Sequence, residues 1–211
     1  MIDILDLHKD SIISRTYGIK QVLEQLKTDN FDISSASVLD IFAGDGSYCS
    51  FMLGDVAKDI DCISTSEEDL KNVCRLMPNA ITILGDSFEV IEQIEKRYDI
   101  IFCDNPQGIL PNGRSEYFDL LNKIPDRLNT GGYFIHNVNV LPYNYDKNSL
   151  WSNIRDKFYK TNAENLNLEY VKQFHIEQMS SLGLKTDYVK LIPREKVNSK
   201  VYLYFLLYKG L

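Results

Sequence analysis

Between residues 37 and 138, five short stretches rich in β-branched and aromatic residues alternate with stretches whose apolar side chains recur at helical spacing. This alternation restricts the fold more than any other feature of the chain. SVLDIF (37–42), DIDCIST (59–65), AITIL (80–84), YDIIFCD (98–104) and GYFIHNV (132–138) are predicted strands. Tyr48–Leu53, Glu67–Leu76, Phe88–Lys96 and Glu116–Leu128 are predicted helices, the first two with Ser47 and Ser66 as N-caps. Strand, helix and strand in succession build a mostly parallel sheet with helices on both faces, because parallel neighbours need a crossover. A further helical pattern at 11–27 precedes the first strand and stops at Lys27-Thr-Asp-Asn30.

The last third departs from that rhythm. Residues 141–169 are polar and rich in Asn, Tyr and Lys, and 142–168 is the best candidate for a mobile segment. YVKQFHIEQMSSLG reads as a helix ended by Gly183. Two β-type runs, 184–192 and 200–208, follow with only Pro193–Ser199 between them, so they should pair as an antiparallel hairpin. The expectation is one domain over residues 1–211, with a leading helical segment at 1–30 and a seven-stranded, mostly parallel α/β sheet closed by that hairpin.

Charge and cysteines narrow the function class. Lys plus Arg number 23 against 30 for Asp plus Glu, a net charge of −7, the opposite of a general nucleic-acid-binding surface, although a basic patch can be local. Lys185–Lys200 mixes its basic residues with acids and makes no stripe. No apolar run approaches the roughly 20 residues of a membrane span, and the N-terminus lacks a signal-peptide pattern. Cys49, Cys62, Cys74 and Cys103 have no C-x-x-C spacing, and no His, Cys and acid cluster has metal-ligand spacing. The expectation is a cytoplasmic protein with buried thiols and no metal.

The most informative stretch is Val38-Leu-Asp-Ile-Phe-Ala-Gly-Asp-Gly-Ser47, a strand running into a turn with Gly44 and Gly46, then a helix. Something must approach that backbone closely. A dinucleotide site wants a third glycine where Cys49 stands, and a P-loop wants a lysine that the turn lacks. A turn built only for its own geometry is the plain alternative.

V-L-D-I-F-A-G-D-G-S closely resembles the first motif of class I S-adenosylmethionine-dependent methyltransferases, in which an acid near the strand end precedes a G-x-G turn. The resemblance extends over roughly residues 36–208 and implies a Rossmann-like fold with S-adenosyl-L-methionine as cofactor. It implies that Asp40 faces the donor's cationic amino acid portion while Phe42, Ala43, Gly44 and Gly46 approach it closely. The family's ribose-binding acid is replaced by Ser64, leaving Ser64 or Thr65 to give one hydrogen bond, or Glu67 to reach back. Glu67-Glu68-Asp69 also suits a solvated first helical turn. Leu84-Gly-Asp-Ser87 is similar to the family's G-D-x motif, which puts Asp86 on the adenine amine and the Ser87 N–H against the ring. Asp86 equally suits a helix N-cap. Tyr17, on the leading helix, is a further candidate contact.

The fourth strand ends in Asp104-Asn-Pro-Gln107 and is similar to the family's fourth motif. In enzymes that methylate exocyclic amines of nucleic acid bases that motif reads [DNS]-P-P-[YFW]; here Asn105 replaces the first proline and Gln107 the stacking aromatic. The strand also resembles ribosomal RNA guanine methyltransferases, and with Tyr117-Phe-Asp-Leu-Leu121 it resembles spermidine synthase. That family has two acids where this chain has only Asp104, and a β-domain ahead of the first strand for which too little chain is available here. A polar turn ending a buried strand is the bland reading of Asp104-Asn105-Pro106. Asp104 and Asn105 are the candidate catalytic pair, Asp104 also adjoining the donor. His136 is a second candidate base, weighed against a core position. Residues 141–169 fall where the family carries acceptor-side insertions, so Tyr143, Tyr145 and Trp151 line an acceptor or simply pack.

The sequence reading is thus in-line methyl transfer to a small-molecule acceptor, favoured by the negative charge and the missing stacking aromatic. N-methylation of RNA or DNA, aminopropyl transfer, and a donor-binding module without chemistry are the alternatives.

Overall fold

The computed structural model describes residues 9–47, 49–104, 119–140, 150–193 and 203–210. Seven strands form one sheet in the order β3-β2-β1-β4-β5-β7-β6: β1 (Ser37–Asp40), β2 (Asp59–Ser64), β3 (Ile81–Leu84), β4 (Tyr98–Cys103), β5 (Leu128–Asn139), β6 (Lys185–Pro193) and β7 (Leu203–Lys209). Strands β1 to β5 pair in parallel, and β7 runs antiparallel between β5 and β6. The alternation in the sequence therefore reports the real topology, hairpin included.

Six helices of one turn or more flank the sheet among the described residues: α1 (Lys9–Thr28), α2 (Ser50–Gly54), α3 (Glu67–Leu76), α4 (Ser87–Gln93), α5 (Leu150–Tyr159) and α6 (Leu168–Ser181). Because side chains alternate along a strand, each face has its own core. Val38, Ile60, Cys62, Ile100, Phe102, Tyr133 and Ile135 meet Ile19, Val22 and Leu26 of α1, Leu53 of α2 and Val73 of α3. Leu39, Ile63, Ile101, Cys103, Phe134 and Tyr208 meet Phe88 and Ile91 of α4, Tyr159 of α5 and Val171 and Met179 of α6. Both faces of the central strands are covered, which is why their sequences are apolar at nearly every position.

Local chemistry sets the helix ends. Ser66 caps α3 by accepting from the Asp69 N–H at 3.2 Å. Gly183 ends α6 at φ +84°, its N–H donating to Ser180 O and the Leu184 N–H to Met179 O, each at 3.0 Å.

Three sequence expectations are corrected. Ser47 does not cap α2, which starts at Ser50; its hydroxyl donates to Asp45 at 2.6 Å within the turn. The helix expected over Glu116–Leu128 lies partly outside the described residues. Asp119 and Leu120 are helical, and the remainder breaks into 3₁₀ turns at Leu121–Lys123 and Pro125–Arg127, since Pro125 has no N–H to continue a helix. Of the segment 142–168, residues 142–149 lie outside the described residues, and in the rest α5 occupies Leu150–Tyr159 and buries Arg155 and Tyr159 completely. Helical spacing was present there, masked by the polar composition of its exposed face. No helix among the described residues is long and apolar enough to cross a membrane.

Candidate functional site at the carboxyl edge of the sheet

Strand order reverses between β1 and β4: β2 and β3 lie to one side, β5 to the other. In an open α/β sheet the crevice beyond the strand ends at such a switch point is where ligands sit. The glycine turn leaves β1 and Asp104 follows β4, so the two strongest sequence signals flank this crevice. Backbone bonds tie the edge together: Ile41 N–H to Phe102 O at 3.0 Å, Ala43 N–H to Ile63 O at 3.2 Å, and Gly85 N–H to Ser64 O at 3.0 Å. A cavity of about 560 Å³ lined by Phe51, Lys58, Asp59 and Met77 opens where β2 begins.

The two glycines of the turn have different tasks. Gly44 sits at φ +55° and a side chain there would meet nothing within 4 Å, so its bare backbone faces open space. Gly46, at φ +78°, lies against α3: a Cβ would stand 3.1 Å from Val73 Cγ2. Gly44 fits the close approach of a ligand, whereas Gly46 is explained by packing. Ala43 is buried and Phe42 half-buried between the turn and the α4 side of the sheet.

Asp40 lies beneath the turn, 2 % exposed. One oxygen accepts from Ser50 Oγ at 2.6 Å and the other from the Phe42 N–H at 3.2 Å. Burial pushes its carboxyl up to about 7, the Ser50 bond opposes this, and the negative charge of Asp104 adds to it. Asp104 accepts from the Cys49 thiol at 3.2 Å. Cys49, the residue that departs from a dinucleotide fingerprint, thus joins the glycine turn to the end of β4.

Ser64 is buried at the end of β2 and its hydroxyl donates to Asp69 at 3.4 Å, while Thr65 is exposed. Asp86 caps α4 by accepting from the Phe88 N–H at 2.9 Å, and the Ser87 hydroxyl donates to Ile41 O at 2.6 Å, binding β1 to α4. Asp40, Gly44, Ser64, Asp86 and Asp104 therefore share one edge. Asn105, Pro106, Gln107, Tyr143 and Tyr145 lie outside the described residues, and Trp151 belongs to α5.

His136 is not at this site. It points to the opposite face, ring stacked at 5.0 Å on Phe134 and at 5.6 Å on Tyr208, fully buried. Burial drives its pKa down to about 3, so it stays neutral in a core. Strand alternation puts the next residue, Asn137, on the other face of the sheet, level with Asp104. Among the described residues no group of three His, Cys, Asp or Glu side chains is arranged to hold a metal ion.

No protein-family model matches the sequence, and no curated protein does either. Solved structures do. A candidate RNA methyltransferase from Pyrococcus horikoshii superimposes with a TM-score of 0.58 at 15% identity, over 92% of this chain and 81% of its own. The N-methyltransferase NodS from Bradyrhizobium japonicum gives 0.58 at 11% identity, over 99% of both chains. A candidate methyltransferase solved with S-adenosylhomocysteine gives 0.55 at 16% identity, over 89% of this chain and about half (49%) of its own. Sheet order, strand directions and these superpositions together show that the chain has the Rossmann-like fold of the class I methyltransferases.

Proposed function

We propose that the chain is an S-adenosylmethionine-dependent methyltransferase. The observation that carries this reading is Gly44, a positive-φ glycine whose missing side chain leaves backbone open at the sheet edge that Asp40 and Asp104 share. The residues fit the donor. Phe42, Ala43 and Gly44 form the wall against its amino acid portion, Gly46 seats that turn against α3, and Asp40, organised by Ser50, lies beneath it. Ser64 and Thr65 adjoin the ribose, with the Asp69 carboxylate beside Ser64. Asp86 and the Ser87 N–H take the adenine edge, and half-exposed Leu84 supplies an apolar surface next to them. Bound there, S-adenosylmethionine supplies a methyl group activated on sulfur for in-line displacement.

On this reading the protein aligns rather than activates. Asp104 and Asn105 orient the acceptor nucleophile, and Asp104 accepts its proton. A small-molecule acceptor is the first choice because the net charge is −7. An RNA acceptor is the second reading, favoured by the likeness to the candidate RNA methyltransferase.

Incubation with S-adenosyl-L-[methyl-³H]methionine and a cell extract divided into small metabolites and RNA tests the choice. Label in the metabolite fraction supports the first reading. Label in RNA, with binding that weakens steeply as salt rises, establishes the second. Donor binding without label in either fraction leaves a binding module.

A further inference from the structure

The Asn137 side chain is completely buried, and neither its amide nitrogen nor its amide oxygen has a hydrogen-bond partner among the described residues. Buried polar groups are almost always paired, so an amide orphaned at both atoms calls for a physical explanation.

Its place in the sheet supplies one. Cys103 of β4 is in register with His136 of β5, which puts Asn137 level with Asp104. Asn137 alternates with His136 and shares its face with Tyr133 and Ile135, the face packed by α1, α2 and α3. Asp104 is bonded to Cys49 at the start of α2, so both residues belong to the same side of the same edge. A leucine or valine at 137 would continue the apolar run of that face, and the chain carries an amide instead.

Resting on the methyltransferase reading, we propose that Asn137 positions the methyl acceptor and that the acceptor is a small, neutral, planar nitrogen heterocycle. A carboxamide offers donors on nitrogen and an acceptor on oxygen side by side. Both are satisfied at once by an edge that places an N–H next to a ring nitrogen or carbonyl, as in a lactam or an aminoazine. A primary ammonium offers donors alone and leaves the Asn137 N–H groups unpaired. A phosphate or carboxylate offers acceptors alone and meets the negative charge of Asp104. In the transfer the nitrogen's lone pair forms the new N–C bond as the C–S bond breaks, the C–S electron pair stays on sulfur, and the nitrogen's proton passes to Asp104.

The test combines N137L with titrations of cytosine, an aminoazine, uracil, a lactam, and putrescine, a diamine. Ligand-free N137L melts above wild type, because it removes an unpaired buried amide, and it binds S-adenosylhomocysteine within about twofold of wild type. With S-adenosylhomocysteine saturating, cytosine or uracil shifts the Asn137 side-chain amide cross-peak in ¹H–¹⁵N spectra of wild type and binds N137L at least about tenfold more weakly. Putrescine does neither. A lower melting temperature for N137L, heterocycle binding indifferent to the substitution, or no shift from either heterocycle in protein that binds S-adenosylhomocysteine overturns the assignment. If N137L does not fold, the wild-type cross-peak, assigned with N137D, decides alone. Failure of wild type to bind S-adenosylhomocysteine is a different result and removes the methyltransferase reading itself.

Discussion

The Cys49 thiol donates a hydrogen bond to the Asp104 carboxylate at 3.2 Å, across 55 residues of sequence, and so couples the start of α2 to the end of β4. Both groups lie at the crevice where the strand order reverses. C49A removes the donor and leaves a small void at a position 2 % exposed. The expected cost is about 1–2 kcal/mol in urea unfolding, with the m-value unchanged. C49S, which restores a donor, recovers part of that loss. Equal stability of C49A and wild type would mean that the contact contributes nothing.

The two turn glycines should fail in different ways. G46A forces a methyl group to 3.1 Å from Val73 at φ +78°, so it lowers stability by roughly 1–3 kcal/mol. G44A meets no protein atom within 4 Å and costs only the strain of φ +55°, about 1 kcal/mol. Its main effect is on donor affinity, because the added methyl group occupies space given to the ligand. Thermal melts with and without S-adenosylhomocysteine separate the two; a G44A protein with unchanged affinity would place the ligand elsewhere.

Two buried titrating groups act in opposite directions between pH 4 and 7. Asp40 has its pKa raised from 3.8 to about 7, so the native state keeps a proton that the unfolded chain has lost, and stability falls as pH rises through that window. His136 is lowered from 6.5 to about 3, so its contribution is full above pH 6.5 and is lost as pH falls toward 3. His175, whose ring is 4.9 Å from His136, is lowered by burial as well and adds to the second trend. The wild-type profile is therefore flattened by cancellation. D40N should lose stability more steeply on acidification than wild type and H136F less steeply, as read from urea midpoints between pH 4 and 7. Parallel profiles for all three proteins would remove both assignments.

The sheet was readable in the sequence because parallel core strands and their crossover helices each leave a distinct period. Ser66 and Gly183 announced helix ends because one side chain or one φ value decides the matter there. The Glu116–Leu128 pattern runs past the helix end because its apolar spacing continues through Pro125, and α5 is hard to read because only one face of it is apolar. At the site, residue types were readable while orientation was not. His136 looks reactive by identity, yet the parity of β5 turns it into the core and puts Asn137 on the other face, level with Asp104. The bonds Cys49–Asp104 and Ser64–Asp69 depend on the helix α2 meeting β4 and on the first turn of α3 returning to β2, relationships with no local sequence signal.

Isothermal titration of S-adenosylhomocysteine into wild type and D86A decides whether the crevice binds the donor. Binding to wild type is expected to saturate at one site per chain and to weaken by about tenfold or more in D86A through loss of a hydrogen bond to a charged acceptor. D86A also removes the cap of α4, so circular dichroism must show the variant folded before its affinity is compared. Folded wild-type protein that binds neither S-adenosylhomocysteine nor S-adenosylmethionine would contradict the account and leave only the fold.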